Sequence, residues 1–507
     1  MDAHKGGAII LGGYSLSWSA HVVEDNFDIS STATLPGNAR LGPRQYDLNE
    51  FSPHHLRLRL ISAKDVDSGS GNRGCGLEET DAQAEPALTV KLDPREGHQP
   101  DLRLDNFSLD GNLLYTPSQL PSQSSSMSQL SAYLANKLHT LFIEEQASIA
   151  YKFASQSAGQ ATRSNGNPSA FTRSLPKGLY EKISSRDTRS FPYSNTFHLT
   201  FSLFSAGATP SSWDIADALE THIQPWVEAL SSISEFTINS QIQLYSQFSP
   251  SVRLIEDGAT NSTRVAQADL SAFINAAEWP LSPSIGSAGP TINFVLYIPS
   301  IAQSPLTIAD TNGATEWLIP QWGGVAIYNP MVTHDGARTV PHHVDTKAVA
   351  AAFTTFRAQL LALLGLPGDH EVPLPLRIQS LRRLQTTALF LSASSTLGSL
   401  ARLTQSLPSI PIPLSVSRSV ESTINHLAKT CSALALGHFD DALRQAREAE
   451  KEAEKAFFEK SMVGQVYFPD EHKVAVYLPL LGPISFPLIL GLVKEIKRFI
   501  SLRRAKS

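Results

Sequence analysis

Cysteine is almost missing from this chain. Cys75 and Cys431 are the only two in 507 residues, which excludes a disulfide framework and a cysteine-rich zinc site and leaves at most one bridge. Charge is sparse as well, at 17% of residues, and a net charge of −6 gives no basis for nucleic-acid binding. No G-x-S-x-G elbow, H-E-x-x-H, P-loop or G-x-G-x-x-G occurs, so the common signatures of hydrolases, zinc peptidases and nucleotide-binding folds are absent. No secretory leader is expected from the first residues either. A leader needs an apolar core of roughly 7–15 residues behind a basic start, whereas Ala8–Leu11 is interrupted at once by Gly12, Gly13 and Ser15. No repeat of fixed period is visible.

What is present is a globular composition, 42% hydrophobic, in a length that suits about three domain-sized units. Near its end lies one long uncharged run, VAVYLPLLGPISFPLILGLV, from Val474 to Val493. As a helix rising ~1.5 Å per residue it covers ~30 Å, the core of one bilayer. Pro479, Pro483 and Pro487 each remove a backbone donor, but their spacing of four places them on one face, where neighbouring membrane helices can compensate. The competing assignment is a buried pair of extended segments in a soluble core. Lys494, Lys497, Arg498, Arg503, Arg504 and Lys506 follow the run against a single acid, Glu495. Basic residues stay cytosolic, so residues 494–507 are expected in the cytosol and everything before Val474 across the membrane. A chain inserted only by its tail would have the opposite orientation, which points to a missing or altered segment near the start.

Along the chain, residues 1–50 show no clear period and are expected to be irregular. Leu56, Leu58 and Leu60 alternate with Arg57 and Arg59, which predicts a strand, and a second short strand is expected at Leu88–Leu92. Pro117–Ser131 has the composition of a linker and leads into a helix carrying Leu130, Leu134, Leu138 and Leu141. The polar stretch Ser155–Ser190 is expected to be a long exposed loop dividing 51–193 from 194–470. Phe197, Leu199, Phe201 and Leu203 predict a strand, and Ser211 with Asp214 fits a capping box ahead of a helix bent at Pro225. Phe236–Leu244 alternates as a strand. Thr291–Pro299, apolar on both faces, is expected to be central in a sheet, and Val325–Tyr328 adds a further strand. From Asp345 the periods become helical: a stripe from Val349 to Leu363 closed by Gly365, a long helix over Leu376–Leu403, and a third helix with Val416, Val420, Ile424, Leu427, Cys431 and Leu434. On that stripe Cys431 is expected in the core. After Gly437, Phe439–Lys460 is expected to be a fourth helix with a solvated face.

Candidate chemistry is thin. His334, Asp335, His342, His343 and Asp345 contain the donor types for a two-histidine, carboxylate metal site, but Gly336 and Pro341 fit an exposed loop equally well. Asp214, Asp217 and Glu220 have the spacing of a solvated helix face. No nucleophile–base pair can be assembled from sequence alone, and no cofactor is implied. Two acceptor sequons, Asn106-Phe-Ser and Asn261-Ser-Thr, lie on the side of the membrane that the basic tail assigns to the lumen; Asn167-Pro-Ser is disqualified by its proline.

FHLTFSLFSAG (Phe197–Gly207), WDIADAL (Trp213–Leu219), QPWVEAL (Gln224–Leu230), FTINSQIQLYSQ (Phe236–Gln247), NFVLYIPS (Asn293–Ser300), QWGGVAIYN (Gln321–Asn329), GHFDDALRQA (Gly437–Ala446) and the run from Tyr467 to Lys494 together resemble the S subunit of the glycosylphosphatidylinositol (GPI) transamidase, the PIG-S family. The resemblance covers roughly 195–500, and more loosely 50–155. It implies an endoplasmic reticulum membrane glycoprotein with a large lumenal domain between one span at each end. It also implies a multisubunit complex that removes a C-terminal signal from a precursor protein and joins the new carboxyl end to a GPI lipid. In the family, catalysis belongs to a cysteine-protease-like partner, so no catalytic residue is carried over. On this resemblance the family's first span is not found in the sequence given. Thr32–Ala39 is expected to correspond to the segment after it and Ala8–Leu11 to a remnant, and a misplaced start or exon would explain both the loss and the conflict in orientation.

The expectation is therefore a mixed α/β lumenal domain, with a central mixed β-sheet, flanking helices and a helical C-terminal part, followed by a transmembrane helix at 474–493. It is expected to work as a non-catalytic subunit through surfaces facing partner subunits, the membrane, and precursor or lipid. Trp322, Gly323 and Gly324 are expected to form a tight turn that packs an aromatic beneath the sheet, and Pro479, Pro483 and Pro487 a packing face of the span. The alternatives are a tail-anchored hydrolase or metal-dependent enzyme, or a membrane-tethered scaffold outside this complex.

Overall fold

The computed structural model describes residues 4–11, 14–23, 26–34, 57–62, 88–97, 99–116, 129–161, 177–247, 249, 251–257, 262–271, 289–332, 338–368, 372–406, 412–460, 462 and 470–504. The chain divides into two compact units, one of Met1–Ala388 with Cys431–Leu443, the other of Leu389–Thr430 with Arg444–Ser507. The fold is mixed α/β with a helical C-terminal part, as expected.

In the first unit the backbone of β1 (His4–Leu11), β2 (Tyr14–Val23) and β3 (Asn26–Thr34) forms an antiparallel meander. This corrects the expectation of irregular structure over 4–34, while residues 35–50 lie outside the described residues. The alternation of Leu16, Trp18, Ala20 and Val22 with Ser15, Ser17, Ser19 and His21 is the strand period that carries it. β4 (Arg57–Ser62) and β5 (Leu88–Pro94) stand where expected; β6 (Asp101–Leu104) and β7 (Asp110–Tyr115) complete a sheet of order β1-β2-β3-β4-β5-β7-β6. Leu88, Val90, Leu113 and Tyr115 are buried against Leu130, Leu134, Leu138 and Phe142 of α1 (Gln129–Ala161). The expected loop at Ser155–Ser190 is also corrected. α1 continues to Ala161, and Lys177–Arg189 forms α2, whose Ile183, with Leu179 and Tyr180, packs on Ala147 and Ala150 of α1. Its apolar residues are outnumbered by charged ones, so hydropathy alone hides the helix. Cys75 and residues 117–128 and 162–176 lie outside the described residues.

The second sheet follows from β8 (Thr196–Ser205), β9 (Ser212–Trp213), α3 (Ile215–His222), α4 (Gln224–Leu230), β10 (Glu235–Gln243), β11 (Leu254–Asp257), β12 (Ser262–Val265), β13 (Thr291–Ile298), β14 (Leu306–Ile308), β15 (Glu316–Ile319) and β16 (Gly323–Ile327). Its order is β10-β8-β13-β16-β15, parallel except for β15, and β13 is central as its unbroken apolar run predicts. β17 (Met331–Val332) pairs with β18 (Arg338–Thr339), and β19 (His343–Val344) with β9. α5 (Thr346–Leu363) covers one face, where Phe201 stacks between Phe294 and Phe353 at centroid distances of 5.1 and 5.0 Å. Over the other face Val265, Leu306 and Ile308 of the small sheet β11-β12-β14 close on Phe204, Val295, Tyr297, Val325 and Ile327. Burial on both faces explains why His198, Thr200 and Ser202 are as enclosed as the apolar residues between them. α3 and α4 break at Ile223, just before Pro225. The capping box is corrected: Asp214 occupies the N-cap without a side-chain cap bond, because Ser212 and Trp213 are held in the β9–β19 ladder. Asp345 does cap α5, accepting from the Ala348 amide at 3.0 Å.

α6 (Leu374–Ser406), α7 (Leu414–Leu436), α8 (Phe439–Phe457) and α9 (Asp470–Arg504) end the chain. In the second unit Ala393 packs with Ala449 and Ala453, and Leu400 and Val416 with Ala456 and Met462. The buried face of α7 is Val416, Ser419, Thr423 and Thr430, with Thr423 and Thr430 returning their hydroxyls to the carbonyls of Ser419 and His426 at 2.8 Å. Ile424 and Cys431 of the expected stripe are exposed, and the core assignment of Cys431 is corrected. Enough protein still surrounds the Cys431 sulfur to push its thiol up, away from reactivity. Among the described residues no helix is long and apolar enough to cross a membrane, so the expected span is not shown. The uncharged run is helical, within α9, with Pro479, Pro483 and Pro487 inside the helix.

Within the first unit, α1 carries two adjacent acids that reach different helices. Glu144 takes Arg186 of α2, with Lys182 at 2.9 Å. Glu145 takes Arg383 of α6 at 2.7 Å and the Ser380 hydroxyl at 2.6 Å, while the guanidinium lies 4.8 Å from the Phe439 ring centroid. Arg383 is fully buried and Glu145 is 4% exposed. Removing one member of a buried pair strands the other's charge, at a cost of about 3–5 kcal/mol. Arg383→Ala is expected to lose that much in reversible denaturation, and replacing Glu145 and Arg383 together by methionine to recover most of it.

Candidate functional site

In open parallel sheets, ligands gather outside the carboxyl ends of the strands, where successive connections leave in opposite directions. Here that position lies between β8 and β13. The chain closes it with its own backbone. Ala206 N donates to Ile298 O at 2.9 Å, Ser246 N to Ser205 O at 2.8 Å, Tyr245 N to Gly207 O at 3.1 Å, and Tyr328 N to Tyr297 O at 2.9 Å. The Tyr297 phenol donates to Ser246 O at 3.3 Å, and burial pushes it far above the ordinary tyrosine range, so it acts as a neutral structural donor. Asn329 clamps Leu306 from both sides, accepting from its amide at 2.7 Å and donating to its carbonyl at 3.0 Å. The crevice that holds ligands in related architectures is occupied by turns.

Trp322, Gly323 and Gly324 sit at the opposite ends of the strands. Gln321 has φ +51, and Trp322 N closes the turn on Ile319 O at 3.2 Å. Trp322 is half-buried and packs on the cluster around Phe204, Val295 and Tyr297. Gly323 lies opposite Asn293 in the β13 register, and a Cβ there would collide with the Asn293 carbonyl. A Cβ on Gly324 would strike the end of the Gln359 side chain, whose amide donates to Trp317 O at 2.9 Å. The two glycines let α5 and β13 approach the start of β16.

Sequence reasoning found no nucleophile–base pair, yet the structure brings one hydroxyl, imidazole and carboxylate together. Ser212 Oγ lies 2.8 Å from His343 Nδ1, His343 Nε2 lies 2.9 Å from Asp214 Oδ1, and Thr346 Oγ1 donates to Asp214 Oδ2 at 2.9 Å. These side chains are exposed or half-exposed and span the two-residue β9–β19 ladder, so they staple β9 to the start of α5. Thr346 and His343 hold the Asp214 carboxyl below its ordinary value; its contribution is therefore present at neutral pH and lost only as pH falls through that depressed pKa. Asp214, expected on a solvated helix face, thus has a partner in His343 that lies 129 residues away. His342, His343 and Asp345 are not joined by further donors: among the described residues no group of three or more His, Cys, Asp or Glu is placed to hold a metal, and His334 and Asp335 lie outside them.

Asn106 is exposed in the turn between β6 and β7, where Asp105 accepts from the Phe107 amide at 3.1 Å and Phe107 is 92% exposed. Asn261 lies outside the described residues. Pro479, Pro483 and Pro487 are exposed on α9 beside Leu478, Leu481, Ile484, Phe486 and Leu488, each more than half exposed.

Fold and site define a class: an α/β protein whose usual ligand crevice is closed by its own turns and which presents an exposed apolar helix. The comparisons give the family. The model of the phosphatidylinositol-glycan biosynthesis class S protein matches residues 40–501, and the chain belongs to this PIG-S family. It is 32% identical over 332 residues to the GPI-anchor transamidase component PIGS of Rattus norvegicus, covering 62% of this chain and 59% of that protein. The Homo sapiens component of the same name is 31% identical over 332 residues with the same coverage. The GPI transamidase component GPI17 of Saccharomyces cerevisiae is 29% identical over 336 residues, 62% of this chain and 61% of that one. The aligned part thus spans about three fifths of the length of these relatives.

The glycine contacts make a graded prediction. Gly323→Ala meets backbone and is expected to destabilise the protein by about 1–3 kcal/mol. Gly324→Ala meets a side-chain end that can move and is expected to cost less. Thermal denaturation of the two variants checks the order.

Proposed function

We propose that this chain is a non-catalytic subunit of the GPI transamidase of the endoplasmic reticulum membrane, supporting attachment of GPI to the carboxyl end of precursor proteins. The observation that carries the proposal is membership of the PIG-S family, whose relatives are named as transamidase components. The closed crevice of the second sheet supports a role exerted through surfaces. The cutting and joining belong, on this reading, to a cysteine-protease-like partner. Affinity purification of the tagged full chain from cells is the test: that partner is expected to co-purify, and a chain recovered without it, or with transamidase turnover of its own, overturns the proposal.

The finer expectations follow from the same reading. Residues 474–493 of α9 cross the membrane, because Leu478, Leu481, Ile484, Phe486, Leu488 and Leu492 are 58–69% exposed and would be costly to leave in water. The basic residues 494–507 then face the cytosol, and 51–470 the lumen. Pro479, Pro483 and Pro487 each leave a carbonyl without its helical donor, which makes their face a packing surface for other membrane helices. Replacing the three by leucine is expected to lower recovery of the assembled complex while leaving the chain in the carbonate-resistant membrane fraction.

Lumenal placement makes Asn106 and Asn261 acceptors of N-linked glycan. Asn106→Gln is expected to remove one endoglycosidase-sensitive step in gel mobility. An unchanged mobility, with the wild type equally insensitive, would place the bulk of the chain in the cytosol.

A further inference from the structure

Among the described residues β10 is an edge strand with nothing paired on its outer side. Glu235 N donates to Asn195 O at 2.7 Å on the β8 side. Because backbone groups alternate along a strand, Thr237, Asn239, Gln241 and Gln243 also turn toward β8, while Phe236, Ile238, Ser240 and Ile242 turn their N–H and C=O groups away. No described residue bonds to those four on the outer side. Proteins shield such edges with proline, lysine, bulges or short length. β10 has none of these: it runs straight for nine residues, and its one charge, Glu235, stands at its first position.

The surroundings of this edge define what fits it. On the face shared with α5, a small apolar dimple borders the strand, lined by Phe191, Phe197, Leu230, Ile233, Phe236 and Leu364. Phe236 stacks on Phe197 at 5.9 Å and forms its outer wall. On the opposite face Thr237 and Asn239 are exposed and Gln241 half-exposed, an uncharged polar row. Past the strand's end Tyr245 is 71% exposed. A row of amides and carbonyls at strand spacing is matched only by another extended backbone, and a dimple on one face selects an apolar side chain at one alternate position. With no countercharge along the edge, a charged segment would lose hydration without compensation.

We propose that β10 receives an uncharged, extended segment of another transamidase subunit by strand addition, enlarging the five-stranded sheet by one strand and seating an apolar side chain in the dimple beside Phe236. The identity of the partner rests on the subunit reading above; the open edge does not. Amide hydrogen exchange of the full chain, purified alone in detergent and within the complex, tests it. In the complex the amides of Phe236, Ile238, Ser240 and Ile242 are expected to exchange at least tenfold more slowly than in the isolated chain, while those of Thr237, Asn239 and Gln241 are protected in both. Ser240→Pro, which removes an outward donor and leaves the β8 ladder its own, is expected to reduce recovery of the neighbouring subunit, and Ser240→Thr to preserve it. Co-purification of the complex without the alternating protection overturns this proposal alone. Protection already present in the isolated chain, accompanied by a dimeric mass in light scattering, assigns the edge to a second copy and also overturns it. Failure of the wild-type chain to co-purify with any transamidase subunit overturns both readings together.

Discussion

Two neighbouring carboxylates on one helix hold the first unit together. Glu144 and Glu145 sit side by side on α1, and the helix geometry turns them about 100° apart, so that one meets Arg186 of α2 and the other Arg383 of α6. Each charge is removed from water: Glu144 is matched by the Arg186 guanidinium, which also donates to the Ser148 hydroxyl, and by Lys182, and Glu145 by the Arg383 guanidinium and the Ser380 hydroxyl. A buried pair of this kind contributes little net stability over an apolar equivalent, but it penalises every arrangement that leaves either partner alone. α1 also carries the leucines that cover the first sheet. The register of its acid pair therefore fixes where that leucine face lies with respect to α2 and α6.

The second sheet shows how an α/β layer can be built for contact. Its interior is rigid: phenylalanines from β8, β13 and α5 stack at about 5 Å, and Gly323 and Gly324 let the layers approach where any side chain would hold them apart. Its carboxyl end, where such sheets usually hold small molecules, is tied shut by backbone bonds from the turns that follow the strands. What remains available is peripheral, namely the β10 edge, the β6–β7 turn with Asn106, and the apolar surface of α9.

Much of the fold could be read directly from residue pattern. The alternation of Phe197, Leu199, Phe201 and Leu203, the unbroken run Thr291–Ile298, the Asp345 cap and the stripe from Val349 to Leu363 all specify the elements they form, because each is a property of one segment and its own two faces. Pattern misled in two helices. α7 has an apolar stripe, and Val416, Leu427 and Leu434 of it are buried or packed, but Thr423 and Thr430 share that buried face while Ile424 and Cys431 are exposed. α2 was hidden because its one fully buried polar contact, Arg186, counts as charge in any hydropathy scale.

Sequence alone determined the family, through the order of its strand and helix motifs, and the single uncharged run of bilayer length near the carboxyl end. Both are local facts, written in contiguous residues and needing no partner. Only the tertiary structure decided which polar groups are enclosed, that Asp214 meets His343, and that Glu145 meets Arg383 across 238 residues. It alone shows that no described residue pairs with the outer side of β10. The physical reason is that periodicity reports how a segment divides its own faces between water and protein, whereas the identity of what lies against each face depends on chain crossings that no local spacing encodes.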